Sequence, residues 1–296
     1  MANTRDIRRR IRAVDNTRQI TRAMELVART KLRRTQDQVM AGKPYSEAIH
    51  DLLRRVAARG GDHQQSPFFQ TRDSSRRLFI TFSADRGLCG SYNANVLRRS
   101  MKEWEKGQDS RGDKLIVVGR RVRDFFRRRG VDIYDEFTNI GEEADLGLAR
   151  TLGRIASYEF TAERVDEVVL VYTEFTSIFQ HTPKAVRVLP IDPQTPGQSS
   201  GKARGNGLYL YEPSPEAILD YIIPRYVDNA MFQALTESKA SEHAARVMAM
   251  KNATDNAGDL IEDLTRDYNR VRQSQITREI SEIAGGAEAL SAARGK

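Results

Sequence analysis

The sequence predicts an α/β fold combined with a long coiled coil, in which helices from the two chain ends pair antiparallel around a central Rossmann-like domain. Two observations predict it. The middle of the chain alternates β-branched and aromatic runs with helical stretches, which is typical of a mostly parallel, covered sheet. The two ends repeat apolar residues at spacings of three and four, which indicates amphipathic helices. Each terminal helix has an incomplete apolar stripe, so pairing the two buries both.

Residues 1–60 are predicted to form the N-terminal coiled-coil helix. Apolar side chains recur at helical spacing from Ile7 to Val27. The tripeptide "GKP" at 42–44 is expected to interrupt or kink the helix, because a helix seldom runs cleanly into a proline. A second helical stretch then continues to about Arg59.

Residues 76–191 are predicted to form the central α/β domain. Its strand-like runs are 77–83, 114–119, 131–137, 166–175 and, as a final edge strand, 184–191. Its helices are expected at about 91–106, 120–129 and 142–162. The acidic pair Glu142 and Glu143 stands where the last of these helices is expected to begin, and helix capping explains it.

The C-terminal part divides into a loop and a helix. Residues 192–207 are rich in Gly, Ser and Pro and predict a flexible loop, and 208–296 are predicted to be mainly the long coiled-coil helix. Between 236 and 258 this helix has few bulky apolar residues, so we expect it to lie closely against another surface. Its apolar pattern shifts by one residue at "RQSQ", 272–275.

The positive charge of the chain is concentrated at the N-terminal end. The net charge is +8, yet residues 1–60 hold 15 Lys and Arg against 6 Asp and Glu, while the remaining residues hold 33 against 34. This asymmetry predicts an acidic partner for the first helix.

Composition also excludes several classes of protein. No apolar run is long enough for a transmembrane helix, and the N-terminus lacks a secretory stretch. The single cysteine, Cys89, indicates a reducing compartment, and the four histidines are too far apart in sequence to predict a metal site.

The stretch "SADRGLCGSYNANV", 83–96, is the one candidate for chemistry. It could be a phosphate-binding loop, carry a reactive thiol at Cys89, or form a strand-to-helix turn. A dinucleotide fingerprint needs a third glycine and an acidic residue after the second strand, and both are missing here. The residues therefore favour a structural turn with a buried cysteine, and a Rossmann-like nucleotide-binding enzyme is an alternative.

A basic nucleic-acid-binding protein is the other alternative. The arginines of the first helix are spread around it rather than gathered on one face, and residues 1–44 contain no aromatic side chain. We therefore expect no nucleic-acid partner.

Three long stretches resemble one family. Residues 5–36, "RDIRRRIRAVDNTRQITRAMELVARTKLRRTQ", resemble the N-terminal helix of the gamma subunits of F-type, proton-translocating ATP synthases. Residues 83–96 resemble the glycine motif of that family, and 240–290 resemble its C-terminal helix. The three stretches occur in the family's order and spacing, so the resemblance covers essentially the whole chain.

The resemblance implies a rotor that is not itself an enzyme. In that family the terminal helices form an asymmetric shaft inside a ring of three alpha and three beta subunits, and the α/β domain forms a foot that rests, with the epsilon subunit, on the membrane c-ring. It implies no catalytic, cofactor-binding or metal-binding residue in this chain. It also implies a peripheral location on the cytoplasmic face of the bacterial plasma membrane.

The resemblance carries partner contacts to particular positions. Contacts with the alpha/beta ring are implied for Met24, Lys31, Arg33, Arg34, Arg272, Gln273 and Thr277, and a contact between foot and c-ring for Tyr209. Small residues along 236–258 would let the shaft pass close to the ring. The cysteine pair of plastid relatives is missing, which excludes a thiol switch of that kind.

Overall fold

The structure, a computed structural model, describes residues 4–59, 66–72, 76–106, 112–192, 212 and 214–294. The predicted flexible loop, apart from Asp192, and Tyr209 lie outside these residues. The chain divides into two compact units. Met1–Leu26 and Ala249–Lys296 form one, called the helical unit; Val27–Met248 form the other, called the α/β unit.

The α/β unit contains the predicted sheet. Its strands are β1 (Arg77–Phe82), β2 (Lys114–Val118), β3 (Asp135–Phe137), β4 (Glu167–Phe175) and β5 (His181–Leu189), in the spatial order β3-β2-β1-β4-β5. The first four strands pair in parallel, and β5 pairs antiparallel with β4 at the edge. The mostly parallel sheet with a final edge strand is confirmed.

Helices cover both faces of this sheet. They are α2 (Tyr92–Glu105), α3 (Arg120–Arg127), α4 (Leu146–Thr161) and segments of the two terminal helices, α1 (Thr4–Arg59) and α5 (Pro215–Arg294). Successive strand residues point to opposite faces. Leu78 and Ile80 accordingly pack toward α1, α4 and α5, while Phe79 packs toward α2 and α3.

The first helix is continuous where the sequence predicts an interruption. α1 runs without interruption from Thr4 to Arg59, with Pro44 inside it, so the expected break at 42–44 does not occur. Beyond the proline, Ile49, Leu53 and Val56 are buried in the main core. This tertiary packing outweighs the single backbone hydrogen bond that a proline removes.

The terminal helices pair antiparallel in each unit. In the helical unit, Arg8 donates to the Tyr268 hydroxyl at 2.5 Å, and the hydroxyls of Thr21 and Thr254 lie 2.8 Å apart. In the α/β unit, Ser46 donates to Gln233 at 2.9 Å. Numbers rise along α1 as they fall along α5, which confirms the antiparallel coiled coil. Among the described helices, none is both long and apolar enough to cross a membrane.

Candidate functional site

The most unusual segment of the chain is the part of α5 from 234 to 245, where every side chain is buried although many are polar or charged. Small residues such as Ala240, Ala244 and Ala245 let neighbouring elements approach the helix closely. The expectation that these small residues let the shaft pass close to a partner is therefore wrong for 236–245. There they face other parts of the same chain, because α5 lies among the loops that leave the sheet.

The loop after β1 makes the first of these contacts. Ala84, Cys89 and Tyr92 pack against Ala245, and the Arg246 guanidinium donates to the carbonyl of Gly87 at 3.4 Å. Burial raises the pKa of the Cys89 thiol, so the thiol stays protonated. The prediction of a structural turn with a buried cysteine is confirmed.

The loop after β3 makes the second contact through His243, which is fully buried. Its Nε2 lies 3.2 Å from the carbonyl oxygen of Glu142, which can only accept a hydrogen bond, and its Nδ1 lies 3.4 Å from the Arg246 guanidinium, which can only donate. These partners fix the neutral tautomer with the proton on Nε2. Burial lowers the pKa of His243 and so favours the same neutral form.

The acidic side chains of this loop hold α1. Lys31 pairs with Glu142 at 2.9 Å, and Arg34 pairs with Glu143 at 3.5 Å. Desolvation opposes ionisation of Glu142, but the hydrogen bond and charge of Lys31 outweigh it and its pKa is lowered.

The predicted capping role of Glu142 and Glu143 is wrong. α4 begins at Leu146, and the carboxylate of Asp145 caps it by accepting from the Gly147 and Leu148 amides at 2.8 and 3.3 Å. The two glutamates stand before this cap, so their carboxylates are free to pair with α1 instead.

The third contact comes from the end of β4. The Ser241 hydroxyl donates to the Thr173 carbonyl at 3.2 Å. Just beyond it, Phe175 and Ile178 pack against a cluster of α1 and α5 side chains that consists of Ala28, Leu32, Ala244 and Val247. The helix α5 is therefore held by the connections that follow β1, β3 and β4.

The connections that follow β1 and β4 surround the crevice in which a doubly wound sheet usually binds a nucleotide. Such ligands lie outside the carboxyl ends of the strands, at the point where the strand order reverses. Here the order reverses between β1 and β4, and the elements beyond both strand ends contact α5. A helix of the same chain thus occupies the crevice that the fold offers to a nucleotide.

Two acidic side chains of the buried segment differ in how they are compensated. Glu242 pairs with Arg246 at 2.7 Å and with Lys239 at 3.7 Å. Glu237 accepts from Gln233 at 2.9 Å, and desolvation by burial raises its pKa to about 7. No group of three or more His, Cys, Asp or Glu among the described residues is placed to hold a metal ion.

The predicted partner contacts fall in both units. In the helical unit Met24 is half-buried, Arg272 and Gln273 are exposed, and the exposed Thr277 donates to the Gln273 carbonyl at 3.0 Å. In the α/β unit Arg33 is exposed, while Lys31 and Arg34 form the ion pairs to the β3 loop described above. Their contacts with a partner stay predictions.

The last part of α5 leaves apolar side chains uncovered. Ile276, Ile280 and Ile283 are 47%, 61% and 73% exposed. They belong to the regular apolar pattern that the sequence shows after the shift at 272–275. Such a pattern, uncovered by any helix in the described part of the chain, indicates burial against another protein.

Sequence reasoning missed His243 and Arg246, which bond to carbonyls of two separate loops. A signal existed, since Glu242, His243 and Arg246 stand within a window of otherwise small residues. The sequence alone does not show which surface this segment of α5 faces. The contacts of its polar residues with the loops of the sheet could therefore not be predicted.

Comparison with known proteins gives a consistent result. The ATP synthase family model matches residues 3–290. The ATP synthase gamma chain of Pelotomaculum thermopropionicum is 43% identical over 290 residues, and that of Heliobacterium modesticaldum is 44% identical over 294; each alignment covers 98% of this chain and 100% of the relative.

A solved structure shares the fold. A chain from the Euglena gracilis mitochondrial ATP synthase, OSCP/F1/c-ring, rotational state 3, superposes with a TM-score of 0.67 at 20% identity, covering 98% of this chain and 95% of that one. Sequence and fold agree over nearly the full length. The chain belongs to the ATP synthase gamma-chain family.

Proposed function

We propose that this chain is the central-stalk rotor of an ATP synthase, which couples transmembrane proton flow to ATP synthesis or hydrolysis by turning as an asymmetric shaft. The observation that carries the proposal is the match to gamma chains over 98% of the sequence. The antiparallel pairing of α1 with α5 supplies the shaft, and the exposed isoleucines near the end of α5 supply a surface for the surrounding subunits.

The physical basis of coupling is differential contact. An antiparallel helix pair has no threefold symmetry, so inside a ring of three alpha and three beta subunits it touches each catalytic subunit differently. A contact shifts a conformational equilibrium only as far as it differs between the two states. Each orientation of the shaft therefore favours a different nucleotide-site conformation in each subunit of the ring.

The chain itself has a non-catalytic role in this proposal. The occupied crevice at the ends of β1 and β4 supports that role, as does the protonated, buried state of Cys89. Hydrolysis and synthesis then take place in the ring, mainly in the beta subunits. Torque reaches them through the helix pair.

The partners follow from the same role. They are three alpha and three beta subunits, the epsilon subunit and the membrane c-ring, with the chain peripheral on the cytoplasmic face of the bacterial plasma membrane. The exposed guanidinium of Arg33 fits an acidic surface of the alpha/beta ring. The exposed isoleucines near the end of α5 fit an apolar surface of the same ring. Lys31 and Arg34 also pair within the chain, so any ring contact of theirs shares these side chains with the β3 loop.

Co-purification tests this function. An affinity-tagged chain expressed with the alpha, beta and epsilon subunits is expected to bring them down as one assembly that hydrolyses ATP. The matched control is a chain that ends before Arg272, which loses the exposed isoleucines and is expected to retain less alpha and beta. Recovery of the tagged full-length chain alone, or with nucleic acid at low salt, would contradict the proposal.

A further inference from the structure

We propose that Ser241, His243 and Arg246 form a torque joint, which fixes α5 to the ends of the sheet so that rotation of the α/β domain turns the helix pair without slip. The inference rests on the proposed rotor function and deepens it. In this role the three are positioning residues, since they act through the helix and touch no substrate.

The joint is defined by its acceptors. Ser241 donates to the Thr173 carbonyl, His243 to the Glu142 carbonyl and Arg246 to the Gly87 carbonyl, at 3.2, 3.2 and 3.4 Å. The Thr173 carbonyl lies near the end of β4 itself, and the other two belong to the connections that follow β3 and β1. Each hydrogen bond therefore ties α5 to a different part of the sheet.

The three donors leave α5 on two sides. Successive residues of an α-helix turn by about 100°, so His243 and Arg246, three residues apart, share one face, while Ser241 lies on roughly the opposite side. Ala244 and Ala245 pack against α1 and the β1 loop. Rotation of the helix about its own axis would break the hydrogen bonds on both sides at once.

The joint is also buried and internally braced. Ser241 and His243 are fully buried, and the side chain of Arg246 is 12% exposed. Glu242 holds the Arg246 guanidinium at 2.7 Å, while the same guanidinium donates to His243. The Glu242–Arg246 pair lies within α5 and moves with it, but a slipped helix would leave the His243 imidazole, the Ser241 hydroxyl and three carbonyls without these hydrogen bonds, and this opposes rotation.

A second route extends the joint to the other helix. The loop whose carbonyl receives His243 also holds Lys31 of α1 through the Glu142 carboxylate at 2.9 Å. Glu142 thus contacts both helices, α5 through its carbonyl and α1 through its carboxylate. The joint lies further along α5 than Leu219 to Leu235, which pack in the main core, so it adds a second attachment of the helix to the sheet.

The test uses the assembled complex, with its ring of alpha and beta subunits fixed to a surface and a probe attached to the α/β domain of this chain. Torsional stiffness is measured from the angular variance of the probe while the ring holds the shaft. We expect Arg246→Gln and Ser241→Ala each to raise this variance, and the double variant to raise it about threefold or more. ATP hydrolysis without a proton gradient is expected to stay within about twofold, since chemistry proceeds without load.

Arg225→Gln is the matched control. Arg225 lies on α5, and its guanidinium donates to the carbonyl and stacks on the ring of Tyr221 in the same helix. The variant removes the same charge from the same helix without touching a strand connection, so the variance is expected to stay at the parent value.

The outcomes separate the two proposals. A parent complex whose probe does not rotate contradicts the rotor function. A parent that rotates, with both joint variants as stiff as Arg225→Gln, overturns the joint alone. If Arg246→Gln does not assemble, Ser241→Ala decides the question, because it removes one hydroxyl and leaves the buried charges paired.

Discussion

At the scale of single residues, Glu237 has the most strongly perturbed carboxyl group of the buried helix. Its site lies between α5 and the β4–β5 pair, where Glu174 is held by Lys184 at 2.6 Å and Gln233 donates to the Glu237 carboxyl at 2.9 Å. Burial raises the pKa of Glu237 to about 7, above its ordinary value of 4.5. In the folded chain, burial therefore favours the protonated form of the Glu237 carboxyl group.

This shift predicts how stability depends on pH. The pKa of Glu237 is higher in the folded chain than in the unfolded chain. Its contribution to the free energy of unfolding is therefore complete below pH 4.5 and is lost as the pH rises through about 7. Glu237→Gln removes the ionisation and is expected to stabilise α5 by about 2 kcal/mol at pH 8, and by much less at pH 5. Hydrogen exchange of residues 234–245, corrected for intrinsic rates, measures the difference.

Glu262→Gln is the control for this experiment, because Glu262 lies on the same helix with a side chain that is 73% exposed. Equal protection of the parent and Glu237→Gln at both pH values would show that the buried carboxyl does not limit local stability.

Two glycines, Gly119 and Gly42, have opposite surroundings. Gly119 has a φ of 108°, and a Cβ there would lie 2.2 Å from the carbonyl oxygen of Ser83. Gly42 lies inside α1, and beyond the backbone of its own helical turns no atom lies within 4 Å of such a Cβ. Gly119→Ala is expected to cost about 3 kcal/mol or more, whereas Gly42→Ala should stabilise by about 0.5–1 kcal/mol.

Urea denaturation of the two variants beside the parent chain measures both effects. A Gly119→Ala chain with the parent's midpoint would contradict the close approach of the β1 and β2 ends. A destabilised Gly42→Ala chain would contradict the continuous helix through this part of α1.

At the scale of elements, the exposed end of α5 is where partner contacts are expected. Arg272 and Gln273 have exposed side chains and interrupt the apolar pattern that resumes at Ile276. The double variant Arg272→Ala with Gln273→Ala is expected to leave the fold intact and to weaken coupling to the ring by about 1–2 kcal/mol. ATP-driven proton pumping relative to ATP hydrolysis measures this loss.

The corresponding control is Lys251→Ala, an exposed position earlier in α5. If pumping per ATP and subunit assembly were both unchanged in the double variant, these two residues would have no part in coupling.

The sequence predicted the elements well where side-chain chemistry decides them locally. The β-branched runs of β1, β2 and β4 and the alternation with α2, α3 and α4 follow from propensity and pattern. The sequence failed where tertiary packing decides. Pro44 stays inside α1 because the residues beyond it are held in the core, and Asp145 rather than Glu142 caps α4 because the helix starts later.

The candidate site was harder to predict for the same reason. The loop at 83–96 could be predicted as a structural turn with a buried cysteine, because it lacks the third glycine and the acidic residue of a dinucleotide-binding site. The polar window from Glu237 to Arg246 was visible in the sequence, but its partners come from strand ends distant in the chain. No local pattern encodes such contacts.

At the scale of the whole molecule, the chain is expected to lack a nucleotide site of its own. The crevice at the reversal of strand order receives α5, and the loop after β1 supplies neither a third glycine nor an acidic partner for a ribose. Calorimetry of the purified chain with ATP and with NAD is expected to show no binding at micromolar concentrations. Micromolar affinity for either nucleotide would restore the enzyme alternative.

Rotation of the α/β domain inside the assembled complex can be observed directly. The chain is assembled with alpha and beta subunits, the ring is fixed to a surface, and a probe attached to the α/β domain is followed under ATP. We expect continuous one-way rotation with three equivalent stopping positions per turn, one for each catalytic subunit. A complex that hydrolyses ATP while the probe stays at a fixed angle would contradict it.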